Sequence, residues 1–107
     1  MVNERLRIKH WLVDPAAGTI EHGATVRRLD PKTMAVLCHL ASKPGEAVTK
    51  GELVDAVWDG AAVSDDALTS AVSALRKALG DSARQPEFVR TLPRVGYTLV
   101  TPVRREA

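Results

Sequence analysis

The sequence holds a single cysteine, Cys38, in 107 residues. One thiol cannot build a disulfide framework or a cysteine-based zinc site, so nothing in the chain requires an oxidising compartment. Long apolar runs are missing too: no stretch approaches the roughly 18–20 residues of a membrane span, and no signal-peptide pattern opens the chain. The histidines His10, His22 and His39 lack metal-ligand spacing. There is no glycine-rich phosphate loop, no G-x-S-x-G elbow and no Cys/His pair with an orienting partner. Internal repeats and low-complexity tracts are absent as well. Secreted scaffold, membrane span, zinc protein and enzyme are set aside, and the sequence calls for no metal, cofactor or small-molecule substrate.

What remains has the balance of one soluble globular domain, with 45% hydrophobic and 26% charged residues. A chain of this size buries roughly two-thirds of its unfolded surface, enough for one core. The net charge of +2 and pI near 9.0 permit a polyanionic partner without demanding one.

Short-strand signals run from Leu6 to Leu29. Leu6 to Val13 alternates apolar and polar residues before turning apolar throughout, and Asp14-Pro15-Ala16-Ala17-Gly18 is turn chemistry. Thr19 to His22 reads as a second strand, and Gly23 turns it into Ala24 to Leu29. The reading is a small antiparallel meander with one wet face.

Three helices follow. Asp30-Pro31 is an N-cap with proline at the first helical position. Met34, Leu37, Cys38 and Ala41 then recur at helical spacing until Pro44-Gly45 stops them. Thr49-Lys50-Gly51-Glu52 is a capping box for a second helix, which carries Leu53, Val54, Val57 and Trp58 on one side and ends at Gly60. A third helix starts near Ser64-Asp65-Asp66 and buries the ridge Leu68, Val72, Leu75 and Leu79, with Gly80 at C′. Beyond a polar link, Glu87 to Leu92 and Tyr97 to Val100 read as a hairpin with Pro93-Arg94-Val95-Gly96 at its tip. Residues 1–101 form the domain on this reading, and 102–107 a tail or the start of a linker.

This order makes an α+β winged helix-turn-helix: a small N-terminal sheet, a three-helix core and a C-terminal hairpin wing. The third helix, about 65–79, suits a major groove, and the wing, about 88–100, suits the adjacent backbone or minor groove. At about 100° per residue, Asp66, Thr69, Ser70, Ser73, Ala74 and Lys77 point away from the buried ridge, with Arg76 on its flank. Small hydroxyl residues allow close approach to base edges. The competing class is a winged module that binds only protein. A polar third-helix face, positive and free of apolar bulk apart from Asp65 and Asp66, together with Arg94, discriminates against it.

The chain resembles the OmpR/PhoB-type winged helix effector domains of bacterial transcription regulators. The resemblance runs through Leu12-Val13-Asp14-Pro15, Leu29-Asp30-Pro31, Pro44-Gly45, Thr49 to Leu53, Val57-Trp58, Ala74 to Asp81 and Thr91 to Tyr97. It implies a four-stranded N-terminal sheet and cytoplasmic, sequence-specific binding of promoter DNA. With only Thr69, Ser70 and Ser73 in mid-helix, a monomer should bind weakly, which favours a dimer on repeated half-sites. The resemblance further implies that Lys50, Trp58 and Arg76 contact phosphates and that Thr91 and the wing approach the backbone. The loop Asp59, Gly60, Ala61, Ala62, Val63 corresponds to a segment that engages RNA polymerase in some members. Ala74 stands where some members carry a basic residue, which counts against strong guanine readout there. Pro93 followed by Arg94 resembles the subgroup with this domain at the N-terminus, ahead of a membrane or sensory part. A domain starting almost at Met1 fits that arrangement better than the C-terminal half of a response regulator.

Overall fold

A computed structural model describes residues 4–59 and 63–106. The strands β1 (Arg5–Ile8), β2 (Trp11–Asp14), β3 (Thr19–His22) and β4 (Thr25–Arg28) lead into the helix α1 (Pro31–Ala41). The short strand β5 (Val48–Thr49) precedes α2 (Lys50–Trp58) and α3 (Asp65–Leu79). The hairpin β6 (Val89–Leu92) and β7 (Gly96–Leu99) follows, and β8 (Val103–Glu106) closes the chain's order. Two sheets result, five strands in the order β4-β3-β2-β1-β8 and three in the order β5-β7-β6. The α+β winged-helix architecture read from the sequence is the one observed.

Local rules account for most of the element ends. Asp30 caps α1 through Thr33, accepting its N–H at 2.9 Å and its hydroxyl at 2.8 Å. These bonds hold the Asp30 carboxyl below the ordinary carboxylate range. Thr49 caps α2 by accepting the Glu52 N–H at 3.0 Å. The other half of the expected capping box is diverted, because the Glu52 carboxylate accepts from His39 and Lys43 instead, both at 2.7 Å. Gly80, at φ 74, terminates α3 in a Schellman motif, with Asp81 N–H on Arg76 C=O and Gly80 N–H on Lys77 C=O. Ser64 stands at the N-cap of α3 without a side-chain bond.

The structure revises the sequence reading at several points. The stretch from Leu6 to Val13 is two strands, not one, because Lys9 at φ 54 opens a two-residue hairpin loop between Ile8 and Trp11. Residues expected to leave as a tail form β8, paired along β1 from Ile8↔Val103 to Arg5↔Glu106. An open sheet edge supplies unpaired backbone groups, and β8 satisfies them. The N-terminal sheet therefore has five strands rather than four. Gly60 lies outside the described residues, and Asp59 already takes the left-handed conformation that ends α2, at φ 52.

One core joins the layers. Ile8, Val13 and Ile20 of the large sheet meet Leu37 and Leu40 of α1, Leu53 of α2 and Leu68 and Leu75 of α3, with Phe88 and Leu99 from the wing side. Cys38 packs against this core half-buried, and burial pushes its thiol above the ordinary value, which suits an inert apolar filler.

Candidate nucleic-acid interface

The ridge expected to bury α3 does so: Leu68, Val72, Leu75 and Leu79 are buried, joined by Ala71. That packing leaves Asp66, Thr69, Ser70, Ser73, Ala74 and Lys77 exposed together. No side chain larger than threonine interrupts the middle of this face, so a flat surface can approach the helix closely.

The C-terminal end of α3 is anchored with unusual completeness. A helix leaves its last four carbonyls without intrahelical donors, and here all four are met. Asp81 N–H serves Arg76 C=O and Gly80 N–H serves Lys77 C=O. Arg27 Nη1 of β4 donates to Ala78 C=O at 2.6 Å and to Lys77 C=O at 3.4 Å. Trp11 Nε1 of β2 donates to Leu79 C=O at 3.2 Å. The N-terminal sheet thereby grips the helix it supports.

Arg76 ties α3 to the wing. Its guanidinium donates to Val89 C=O from Nε (3.3 Å) and Nη2 (3.0 Å), and to Thr91 Oγ1 from Nη2 at 2.7 Å. The same group lies 5.9 Å from the Tyr97 ring centroid, within cation–π range. Arg76 is half-buried and Thr91 exposed. Asp81 fixes the root of the wing, its carboxylate accepting the N–H groups of Glu87, Phe88 and Val89.

At the tip, Val95 N–H donates to Leu92 C=O, which makes Pro93 and Arg94 the central residues of a turn. Arg94 carries the positive φ of 66 that a type II turn demands at its second central position, and its side chain is exposed. Val95 beside it is 46% exposed. Gly96 closes the expected hairpin tip, but its φ is not positive and the turn does not depend on it. Its role is close approach: a Cβ there would strike Val48 C=O and lie 2.9 Å from Thr49 Cα, so only glycine lets β5 pair with β7.

Lys50 opens α2 half-buried, and its N–H donates to Val95 C=O at 3.1 Å, placing this lysine beside the wing tip. Trp58 closes α2 half-buried against the core. Lys32 sits over its ring at 5.8 Å and donates to Val57 C=O at 2.9 Å. Of the loop expected at 59–63, Asp59 and Val63 are described, whereas Gly60, Ala61 and Ala62 fall outside the described residues. Sequence reasoning missed Arg27, Trp11 and Asp81 as supports of this surface. Only Asp81 left a local signal, a carboxylate directly after the helix-ending glycine.

Comparison with known proteins decides the family. The family described as "Transcriptional regulatory protein, C terminal" matches residues 24–99. The chain belongs to this family. It is a transcription-regulator domain of the winged-helix kind, not an enzyme. It is 39% identical over 105 residues to the cholera toxin homolog transcriptional activator of Vibrio parahaemolyticus, covering 94% of this chain and 36% of that protein. It is 33% identical over 99 residues to the transcriptional activator CadC of Escherichia coli, covering 92% of this chain and 19% of CadC. The chain thus spans only a minor part of these relatives. The solved DNA-binding domain of E. coli CadC superposes with a TM-score of 0.84 at 32% identity, covering 94% of each chain. The RstA DNA-binding domain of Klebsiella pneumoniae, solved with the RstA box, shares the fold with a TM-score of 0.78 at 23% identity, over 90% of this chain and 96% of that one.

Proposed function

We propose that this chain is the DNA-binding effector domain of a transcription regulator, seating α3 in the major groove of promoter DNA and the wing at the adjacent minor groove. The observation that carries the reading is the exposed, small, polar face of α3, braced by Arg76 against the wing. Thr69, Ser70 and Ser73 face base edges, with Asp66 and Ala74 lining the same approach. Lys50, Arg76 and Lys77 neutralise phosphates, Trp58 and Thr91 meet the backbone, and Arg94 follows the minor groove. With few long side chains in mid-helix, DNA shape carries much of the discrimination. A single domain so equipped binds weakly, which favours two copies on half-sites about one helical turn apart. The loop at 59–63 is the segment offered to RNA polymerase. No small-molecule substrate enters this mechanism. The intact regulator acts in the cytoplasm from a membrane-anchored parent, in keeping with the subgroup that the Pro93-Arg94 wing resembles.

The test is salt-dependent binding to duplexes recovered by site selection. Log K falls against log salt with a slope of roughly −3 to −4, and Lys50→Ala reduces the slope by about one. Ser73→Ala costs about 1 kcal/mol on the selected site and little on random duplex. A slope near zero, with no selected sequence, would identify a module for protein contacts alone.

A further inference from the structure

Resting on the DNA-binding reading above, we infer that Arg27, on the edge strand β4 of the N-terminal sheet, is a positioning residue that sets the register of α3 and hence sequence preference. Arg27 is the one β4 side chain with bonds to α3 among the described residues. Its Nη1 reaches two successive carbonyls, Lys77 and Ala78, while its guanidinium carbon lies 5.5 Å from the Trp11 ring centroid. Trp11 in turn holds the next carbonyl, Leu79. Arg27 and Trp11 therefore form one clamp on the last turn, the turn that carries Lys77 and lies one step beyond Ser73 and Ala74. A guanidinium suits a helix C-terminus because the dipole there is negative. Without the clamp, that turn keeps only its Schellman bonds and can shift or fray, which moves Ser73 and Lys77 relative to the bases. Arg27 spends this donor on carbonyls rather than on DNA, so it acts on specificity through the helix.

Arg28, the next residue, makes the control. It is exposed, its side chain leaves the opposite face of β4, and no hydrogen bond or ion pair joins it to α3 among the described residues. Arg27→Met keeps an apolar stem over Trp11 while removing the donors; Arg28→Met makes the same change in charge. Affinity for a site selected with the wild-type domain and for random duplex is measured across a salt series. Hydrogen exchange at the amides of residues 76–79 is read alongside. Arg27→Met is expected to lose about tenfold on the selected site and under about twofold on random duplex, with an unchanged salt slope and faster exchange in the last turn. Arg28→Met should retain the wild-type ratio of the two affinities. Trp11→Phe keeps an aromatic ring, smaller than the indole and without its N–H, and should lower the ratio in the same direction, which keeps the idea testable if Arg27→Met folds poorly. Equal losses on both duplexes, a slope reduced by about one, or the same loss of preference in Arg28→Met would overturn the inference. Failure of the wild type to bind any duplex would instead sink the DNA-binding reading itself.

Discussion

Arg76 and Thr91 are joined across the gap between α3 and the wing by a 2.7 Å hydrogen bond, the arginine donating and the threonine hydroxyl accepting. The same guanidinium holds Val89 C=O, so one side chain links the helix to the wing at two points. A phosphate that approaches Arg76 meets a group already oriented, with less conformational freedom to lose than a free arginine has.

The pair should show coupling in a double-mutant cycle. Arg76→Met and Thr91→Val each weaken DNA binding, and the double variant loses less than the sum by about 0.5–1.5 kcal/mol. Additive losses would mean that each residue acts on DNA alone.

Arg94 combines an exposed cation with a left-handed backbone at φ 66, a conformation that costs a non-glycine residue about 1 kcal/mol or more. Arg94→Gly should therefore leave thermal stability unchanged or raise it slightly, while lowering affinity by about 1–2 kcal/mol on sites with A·T-rich flanks. The comparison is a melting curve set beside binding to A·T-flanked and G·C-flanked versions of one site. Equal weakening on both versions would rule out a minor-groove role.

Gly96→Ala makes the opposite separation. Its Cβ meets the β5 backbone, which has no side-chain freedom with which to yield. Denaturant unfolding should show a loss of about 2–3 kcal/mol, since overpacking against fixed atoms is costly. A variant as stable as wild type would show that β5 moves away freely.

Glu52 supplies the pH dependence. Hydrogen bonds from Lys43 first, and then from His39, hold its carboxyl below the ordinary value of 4.5. A carboxyl depressed in the folded state contributes stability that is fully present above its unfolded value and is lost as pH falls through the folded one. Asp30 and Glu106 are lowered too, the latter chiefly by the Arg7 hydrogen bond, and add in the same direction. Stability followed by denaturant titration should therefore decline below about pH 4.5, and Glu52→Gln should make that decline shallower. An identical acid limb in Glu52→Gln would show that the Glu52 cluster, which ties α1 to α2, does not contribute to it.

Helix placement was legible in the sequence because its causes are local. The Asp30-Pro31 start, the Thr49 cap, the Gly80 stop and the apolar ridge of α3 all lie within a few turns of the backbone they control, and each is found where the pattern put it. The exposed face of α3 follows from that ridge by helical geometry alone. Strand pairing is different. The β8–β1 ladder pairs opposite ends of the chain, Arg5 with Glu106, the Arg7–Glu106 side-chain bond beside it spans 99 positions in sequence, and Val103-Arg104-Arg105-Glu106 carries no alternation to announce a strand. β5 is two residues long, and its need for Gly96 exists only once β7 lies against it. Arg27, Trp11 and the Glu52 cluster likewise owe their roles to neighbours brought near by the fold, so no spacing along the chain could reveal them. Local patterns along the chain settle the helices and the face that α3 offers; which strands pair and which side chains hold that face in place follow from the fold, because hydrogen bonds depend on distance in space and not on order along the chain.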